Sequence, residues 1–399
     1  MRRLIAIGLL GVMITAVCGA EQLSVAQLEQ RLDASLKKPA PSAPDHAKTD
    51  TFKDVDIDVG NDLLRDFAED NDLARQLYLM ELTERLTPKT FARILAKDRP
   101  GPEVARALAF LEDRSAFLDP PQGEWAALPA PDAGSQKHAL ELARGYVFQT
   151  LLRLPNFFAT RTTERLETEP PTRGVLAFPN QEAPHLAGKS VLEITFRDGK
   201  EFEGPTEAAL VSKTPAAEGL ASEGEFGTEA AIVLVDLEDQ ANGTAAFHHW
   251  ETTATGPAAV YRYAVAAGGS HYEVRYACKA RTAFHEFPGY HGSIAINQAT
   301  GAILRITVAA DWKPGNPVSH VTSAIEYGPV KIGDRVYICP VQSIAFMIVE
   351  ANACRRLGGA QRLADPVITM NRTTFNNYHR LGSTVRILPP EKDEKQGPG

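Results

Sequence analysis

The sequence predicts an α+β protein, with an N-terminal helical bundle followed by a curved antiparallel β-sheet, a half-barrel-like meander. Before residue 155, apolar side chains recur at helical spacing between short Pro-rich connections. After it, apolar and polar residues alternate and turn signals are frequent. The predicted divisions are a signal peptide (1–20), a helical domain with Pro-rich linkers (21–154), an antiparallel β domain (155–388) and a disordered tail (389–399).

The N-terminal segment has the pattern of a cleaved secretory signal. The charged start MRR precedes the apolar run LIAIGLLGVMITAV, which is too short to span a bilayer, and small Ala20 precedes Glu21. Cleavage after Ala20 predicts a secreted or periplasmic protein. Acylation of Cys18 is the alternative, disfavoured because Val17 is bulky where a lipobox has a small residue. No transmembrane segment is predicted in the mature chain.

The composition is that of a soluble globular protein and opposes a role in nucleic-acid binding. Hydrophobic residues make up 44% of the 399 residues and charged residues 23%. The formal net charge is −8, whereas a nucleic-acid-binding surface needs an excess of Lys and Arg. The same charge opposes binding to an anionic membrane by electrostatics alone.

Local signals predict where individual helices and hairpins lie. Ser24 and Gln27 have the spacing of a capping box, and Thr87 before Pro88 is a good N-cap and first turn. The dipeptide Asp198-Gly199 predicts a hairpin turn. The segment AAIVLVDLED fits either a strand or a short helix.

The stretch GYHGSIAINQATGAILRITVAADW is predicted to form two strands with one apolar face. Strict alternation assigns Ala302 to that face together with five larger side chains, namely Ile294, Ile296, Leu304, Ile306 and Val308. Arg305 and Thr307 are predicted on the other face. Because an apolar sheet face needs a cover, either the protein's own helices or an apolar ligand must lie over it. These five residues are therefore the candidate ligand-binding face.

Two hairpins in this part of the chain resemble the curved half-barrel of Lol-type lipoprotein carriers of bacterial envelopes. They are GSIAINQATGAILRI and EYGPVKIGDRVYICP, and the matching residues are Ile296, Thr300, Gly301, Arg305, Tyr327, Gly328, Val330 and Pro340. The resemblance implies a shallow apolar cavity for acyl chains. The segments LPNFFATRTTERLE and LYLMELTERL resemble a family of uncharacterised secreted bacterial proteins.

Three cysteines remain after the predicted cleavage: Cys278, Cys339 and Cys354. An oxidising compartment favours one disulfide and one leftover thiol. Cys339 and Cys354 are the candidate pair because they are nearest in sequence. Three buried thiols are the alternative.

Two histidine-containing segments are considered as metal sites, and neither is assigned. His248 and His249 are neighbours on a predicted strand, so their side chains are expected on opposite faces and out of reach of one ion. His285, Glu286 and His291 are zinc-type ligands at a spacing that matches no helical zinc motif. No metal and no cofactor are predicted.

The sequence predicts no catalytic residues. It contains no Gly-x-Ser-x-Gly elbow, no Gly-rich phosphate loop, no His-Glu-x-x-His and no Cys-x-x-Cys. The expected function is that of a non-catalytic extracytoplasmic protein that binds lipid or another apolar ligand on its curved sheet. An envelope protein–protein interaction module is the alternative. A metal-assisted enzyme using His285, Glu286 and His291 is the second alternative.

Overall fold

The computed structural model describes residues 21–36, 68–168, 184–198, 200–205, 228–238, 243–253, 255–278, 281–313, 316, 318–349 and 367–381. Within these ranges the protein is α+β, with six α-helices and a large, open antiparallel sheet, so the predicted class is confirmed. The predicted signal peptide, Cys354 and the predicted tail lie outside the described residues. The chain divides into two compact units, Met1–Leu118 and Asp119–Gly399.

The first unit contains four of the described helices and one short parallel ladder. Its elements are β1 (Glu21–Leu23), α1 (Val25–Leu36), α2 (68–78), β2 (Met80–Leu82), α3 (Pro88–Asp98) and α4 (Pro102–Arg114). Strand β1 pairs with β2 in parallel. A core built from all four helices joins them, and Leu28 and Leu32 of α1 are fully buried in it.

Both predicted N-terminal helix signals are confirmed. The Ser24 amide donates to Gln27 Oε1 at 2.8 Å, and the Gln27 amide donates to Ser24 Oγ at 3.2 Å. Thr87 Oγ1 accepts from the Thr90 amide at 3.2 Å, with Pro88 at the first helical position of α3. These contacts satisfy amides that have no partner within the helix.

The second unit contains two helices and most of the strands. Its elements are α5 (Ala133–Arg153), β3 (Phe157–Glu167), β4 (His185–Arg197), β5 (Lys200–Pro205), α6 (Thr228–Asp236), β6 (Gly243–Thr253), β7 (Gly256–Val265), β8 (Val274–Cys278), β9 (Arg281–Glu286), β10 (Gly289–Ile296), β11 (Ile303–Asp311), β12 (Val318–Ile332), β13 (Arg335–Val349) and β14 (Val367–Arg380). Helix α5, placed by the sequence analysis with the helical part, groups instead with the sheet.

Ten of these strands form one antiparallel sheet in the order β5-β4-β3-β14-β13-β12-β11-β10-β7-β6. Strands β10 to β14 follow one another as the predicted meander. Strand β3 adds beside β14, and the β6–β7 hairpin adds beside β10. Strands β8 and β9 form a separate two-stranded ladder. Strand β6 is thus an edge strand of the large sheet.

Helices α5 and α6 cover one face of the β6–β7–β10–β11 part of the sheet. Ala139 and Ala143 of α5 and Val233 and Leu234 of α6 belong to the same buried cluster as the strand side chains. Ala230, Val233 and Leu234 recur at helical spacing, so a helix presents all three to the sheet. This packing explains why the residues of AAIVLVDLED up to Asp236 lie in helix α6 and not in a strand.

Candidate functional site

The predicted apolar face lies beneath the protein's own helices. Ile294, Ile296, Ile306 and Val308 are at most 1% exposed and belong to the cluster that contains α5 and α6. The apolar face therefore has the protein's own helices as its cover, and not a ligand.

Leu304 departs from the predicted alternation. The β10–β11 ladder pairs Ile296 with Ile303 and Ala295 with Arg305, so Leu304 is an extra residue in β11. As a result Ile303 joins Ile306 in the cluster under the helices, and Leu304 packs in a separate cluster with Val260. Strict alternation from 302 to 308 was wrong because it cannot anticipate a bulge.

The structure describes only one member of the predicted Cys339–Cys354 pair. Cys339 is buried as a thiol without a disulfide partner among the described residues, and Cys354 lies outside them. Burial raises the pKa of the Cys339 thiol to about 12. A thiol of that pKa is almost entirely protonated at neutral pH and therefore a poor nucleophile. The Cys339–Cys354 pairing stays a prediction.

His285, Glu286 and His291 do not converge on one point. His285 pairs with Glu273, whereas His291 Nδ1 lies 2.7 Å from Asp311 Oδ1. The three residues do not form a metal-type cluster within the part of the chain that is described. The alternative of a metal-assisted enzyme built on them loses its geometric basis.

A cleft of about 580 Å³ opens at one end of the sheet. It is lined by Leu128, Ser135, His138, Trp250, Thr255, Pro257, Asn297, Gln298 and Ala299. Its walls come from the segment before α5, the first turns of α5, the β6–β7 turn and the β10–β11 turn. Leu128, Trp250, Pro257 and Ala299 supply apolar surface, and the other side chains supply hydrogen-bonding groups.

Backbone contacts hold the walls of this cleft in place. The Ala126 amide donates to the Trp250 carbonyl at 2.9 Å, and Trp250 Nε1 donates to the Pro129 carbonyl at 2.9 Å. On the other side, Gly301 has φ +73° and lies so close to α5 that a Cβ there would be 2.4 Å from the Leu142 carbonyl oxygen. Only glycine allows that approach. The cleft is therefore preformed in the fold.

A second polar site lies at the β6 edge, where a bulge brings two histidines together. Phe247 pairs with Tyr261 and His249 with Val260, so His248 is an extra residue in β6. The Nδ1 atoms of His248 and His249 are 2.7 Å apart. The expectation that the two imidazoles face opposite sides was wrong, because the bulge interrupts the alternation on which it rested.

Carboxylates flank this histidine pair on both sides. Asp119 Oδ2 lies 3.7 Å from His248 Nδ1, and Glu251 Oε1 lies 3.2 Å from His249 Nε2. Asp119, His248 and His249 place one ligand atom each within 4.8 Å of one another. Two arginines complete the network, since Arg262 pairs with Asp119 and Arg305 NH1 lies 3.7 Å from Glu251 Oε1.

The segment around Trp125 covers the histidine pair. Trp125 bridges to Glu251 in antiparallel fashion, and its indole stacks on the His249 ring with centroids 4.4 Å apart. The side chain of His249 is only 1% exposed as a result. Burial lowers the pKa of His248, and the Arg262 guanidinium lowers it further, while Asp119 acts in the opposite direction. The net effect favours the neutral form of His248.

Another buried carboxylate, Asp236 at the end of α6, organises a purely hydrogen-bonded group. It accepts from the Tyr290 hydroxyl at 2.8 Å and from the His271 amide at 2.9 Å, and it also pairs with His271 Nδ1. Burial and the neighbouring Asp236 carboxylate both raise the pKa of Tyr290. This group ties the segment after β7 that contains His271, and Tyr290 of β10, to α6.

Sequence reasoning missed the β6-edge cluster for a definable reason. Asp119 lies in a Pro-rich loop far from the histidines in sequence, and nothing in its surroundings there marks it as a ligand. The adjacent histidines were visible, but the bulge that re-aims them depends on pairing with β7. The composition of this loop does not indicate which strand the loop contacts.

Comparisons with models of known protein families, with curated proteins and with solved structures found no match to this chain. The Lol-type resemblance therefore stays a prediction. No helix among the described residues has both the length and the apolar character needed to cross a bilayer. Functional conclusions rest on the chemistry of the cleft and of the β6-edge cluster.

Proposed function

We propose that this protein is a non-catalytic extracytoplasmic binding protein that holds a small, partly apolar ligand in the cleft between Leu128 and the β10–β11 turn. The observation that carries the proposal is the cleft itself, with a volume of about 580 Å³ and a mixed lining. That volume is in the range of small-molecule sites, which combine apolar walls with a few polar groups.

The two kinds of lining residue have separate roles in this proposal. Leu128 is 46% exposed and Trp250 also lines the cleft, so an apolar group placed between them loses contact with water. Asn297 already accepts hydrogen bonds from the Ala299 and Thr300 amides through its side-chain oxygen, which leaves its amide hydrogens for a ligand acceptor. His138 adds a second polar group.

The proposal moves the ligand from the sheet face, predicted from sequence, to the end of the strands. Self-coverage of Ile294 and Ile306 by α5 and α6 argues against the face as the binding surface. The Lol-type resemblance implies a half-barrel that carries acyl chains. The acyl chain is kept in this proposal as a candidate ligand, because an apolar chain suits the cleft lining.

Native mass spectrometry tests the ligand directly. The protein is purified from its native source without detergent and weighed under native and denaturing conditions. Excess mass of an organic molecule that is lost on denaturation supports the proposal and identifies the ligand. The proposal is refuted if the protein has no excess mass and also fails to bind the neutral fluorophore N-phenyl-1-naphthylamine. That result would favour the alternative, an envelope protein–protein interaction module.

A pair of matched variants locates the binding site. Leu128→Asp places a charge in the cleft, and we expect it to abolish fluorophore binding. Leu186→Asp on β4 makes the same change at a leucine of similar exposure, 55%, outside the cleft. It is expected to leave binding unchanged. Equal loss in both variants, or no loss in either, contradicts the assignment of the cleft.

A further inference from the structure

We propose that Asp119, His248 and His249 bind a divalent transition-metal ion, with Zn²⁺ as the ion that fits them best. They are the one group of three metal-type ligands within 4.8 Å of one another that the described residues contain. Imidazole nitrogens and a carboxylate oxygen are donors that Zn²⁺ takes in proteins. Three protein ligands leave the fourth tetrahedral position for water.

Glu251 makes His249 a preorganised ligand. Its Oε1 lies 3.2 Å from Nε2 of His249, on the side of the ring opposite to His248. When Nε2 donates its hydrogen to Glu251, Nδ1 carries the lone pair and points towards His248. Metal-binding histidines commonly donate their second ring N–H to a carboxylate in this way. The stacked indole of Trp125 holds the ring in the same orientation.

Binding an ion requires only a small displacement of His248. The two Nδ1 atoms are 2.7 Å apart, which is a hydrogen-bond distance. Two nitrogens on one tetrahedral Zn²⁺ are about 3.3 Å apart, because each lies about 2.0–2.1 Å from the ion. His248 can move by this difference because it is the bulged residue of an edge strand and its side chain is 27% exposed.

The positive charge of Arg262 opposes cation binding, so a variant that lacks this charge tests the proposed metal site. It pairs with Asp119, and its side chain is 59% exposed. Arg262 contacts Asp119 through Oδ2, the same oxygen that lies 3.7 Å from His248 Nδ1, so the guanidinium competes with a cation for that atom. Removing the guanidinium should therefore tighten metal binding, an effect that a purely structural ion-pair network would not produce.

The other histidine–carboxylate contacts of this unit provide controls. His291–Asp311 is an exposed pair, and His285–Glu273 also includes Arg275; neither group contains a second histidine. His291→Gln removes an imidazole that is also paired with a carboxylate, without touching the proposed site. The chain has ten histidines, so a fusion tag of further histidines must be absent from the protein used.

The experiment is a calorimetric titration of the untagged protein with Zn²⁺ after removal of metals by a chelator. We expect one Zn²⁺ per chain in the wild type and in His291→Gln. His248→Ala and Asp119→Asn should weaken binding more than Glu251→Gln, for which a loss of about 10–100-fold is expected because Glu251 acts through His249. Arg262→Gln should bind Zn²⁺ more tightly than the wild type.

Co²⁺ provides a spectroscopic check, since tetrahedral Co²⁺ absorbs strongly in the visible range, and the band should appear in the wild type and be lost in His248→Ala. Circular dichroism of each variant establishes that it is folded. Absence of Zn²⁺ binding by the wild type overturns the proposal. So does equal affinity in folded His248→Ala and wild type, because the ion would then bind elsewhere.

Discussion

Two buried carboxylates of the second unit, Asp236 and Glu251, each hold a histidine, and they differ in what lies beyond the histidine. Asp236 is shared between Tyr290 and His271, whose side chain is 72% exposed and ends in solvent. Glu251 contacts His249, whose other nitrogen faces His248 and Asp119. The first arrangement closes on itself and stabilises the fold. The second presents three ligand atoms to one point.

The difference follows from where each group lies in the sheet. Asp236 ends α6 over the covered face, where helix packing is continuous. Glu251 lies on the edge strand β6, where a bulge is tolerated and a loop supplies the cover. An edge can present side chains at angles that a regular central ladder forbids, and for this reason bulges are common beside binding sites.

The largest expected effect comes from the covered face. Ile306→Ala should lower the free energy of unfolding by about 2–5 kcal/mol, because Ile306 is fully buried and a cavity would remain. Urea denaturation followed by circular dichroism measures it. A loss below about 1 kcal/mol would indicate that the helices do not pack firmly on the face. In that case the sheet face would again be a candidate ligand surface.

Asp236→Asn tests whether the first carboxylate is structural. We expect it to lower the free energy of unfolding by about 1–3 kcal/mol, because the Tyr290 hydroxyl and the His271 contacts lose a charged acceptor. Asp311→Asn is the control, since its pairing with His291 is exposed and should contribute at most about 1 kcal/mol. Equal losses of unfolding free energy in the two variants would contradict a special structural role of Asp236.

The pH dependence of stability probes the second region. The pKa of His248 is lowered in the folded protein, so the unfolded chain binds the proton more readily. The stabilising effect of neutral His248 is present above its unfolded pKa, about 6.5, and decreases as the pH falls below that value. His248→Gln should flatten this part of the profile. An unchanged slope between pH 7 and pH 5 would contradict the lowered pKa.

The smallest effect concerns Cys339 and is read by thiol titration. If Cys339 is a free buried thiol, Cys339→Ala leaves the thiol count of the folded protein unchanged and lowers that of the denatured, unreduced protein by one. If Cys339 pairs with Cys354 as predicted from sequence, the variant instead raises the denatured count by one. The two outcomes have opposite signs and therefore decide whether Cys339 is disulfide-bonded.

Much of the local structure could be predicted from short-range chemistry. The capping box at Ser24, the Thr87–Pro88 helix start and the meander that contains Gly289–Trp312 follow from residues within a few positions of one another. The two bulges could not be predicted. Leu304 and His248 are displaced from regular alternation by pairing with neighbouring strands, and neither carries a residue type that marks a bulge.

The sequence by itself determined the α+β class, the helix starts and the hairpin order, because these depend on periodicity and on turn and capping residues close together in the chain. Only the tertiary structure decided which cover lies over Ile294 and Ile306, that AAIVLVDLED contains a helix, and that Asp119 meets His248 and His249. Those outcomes depend on contacts between distant residues, whose free energy outweighs local preference and leaves no pattern along the chain.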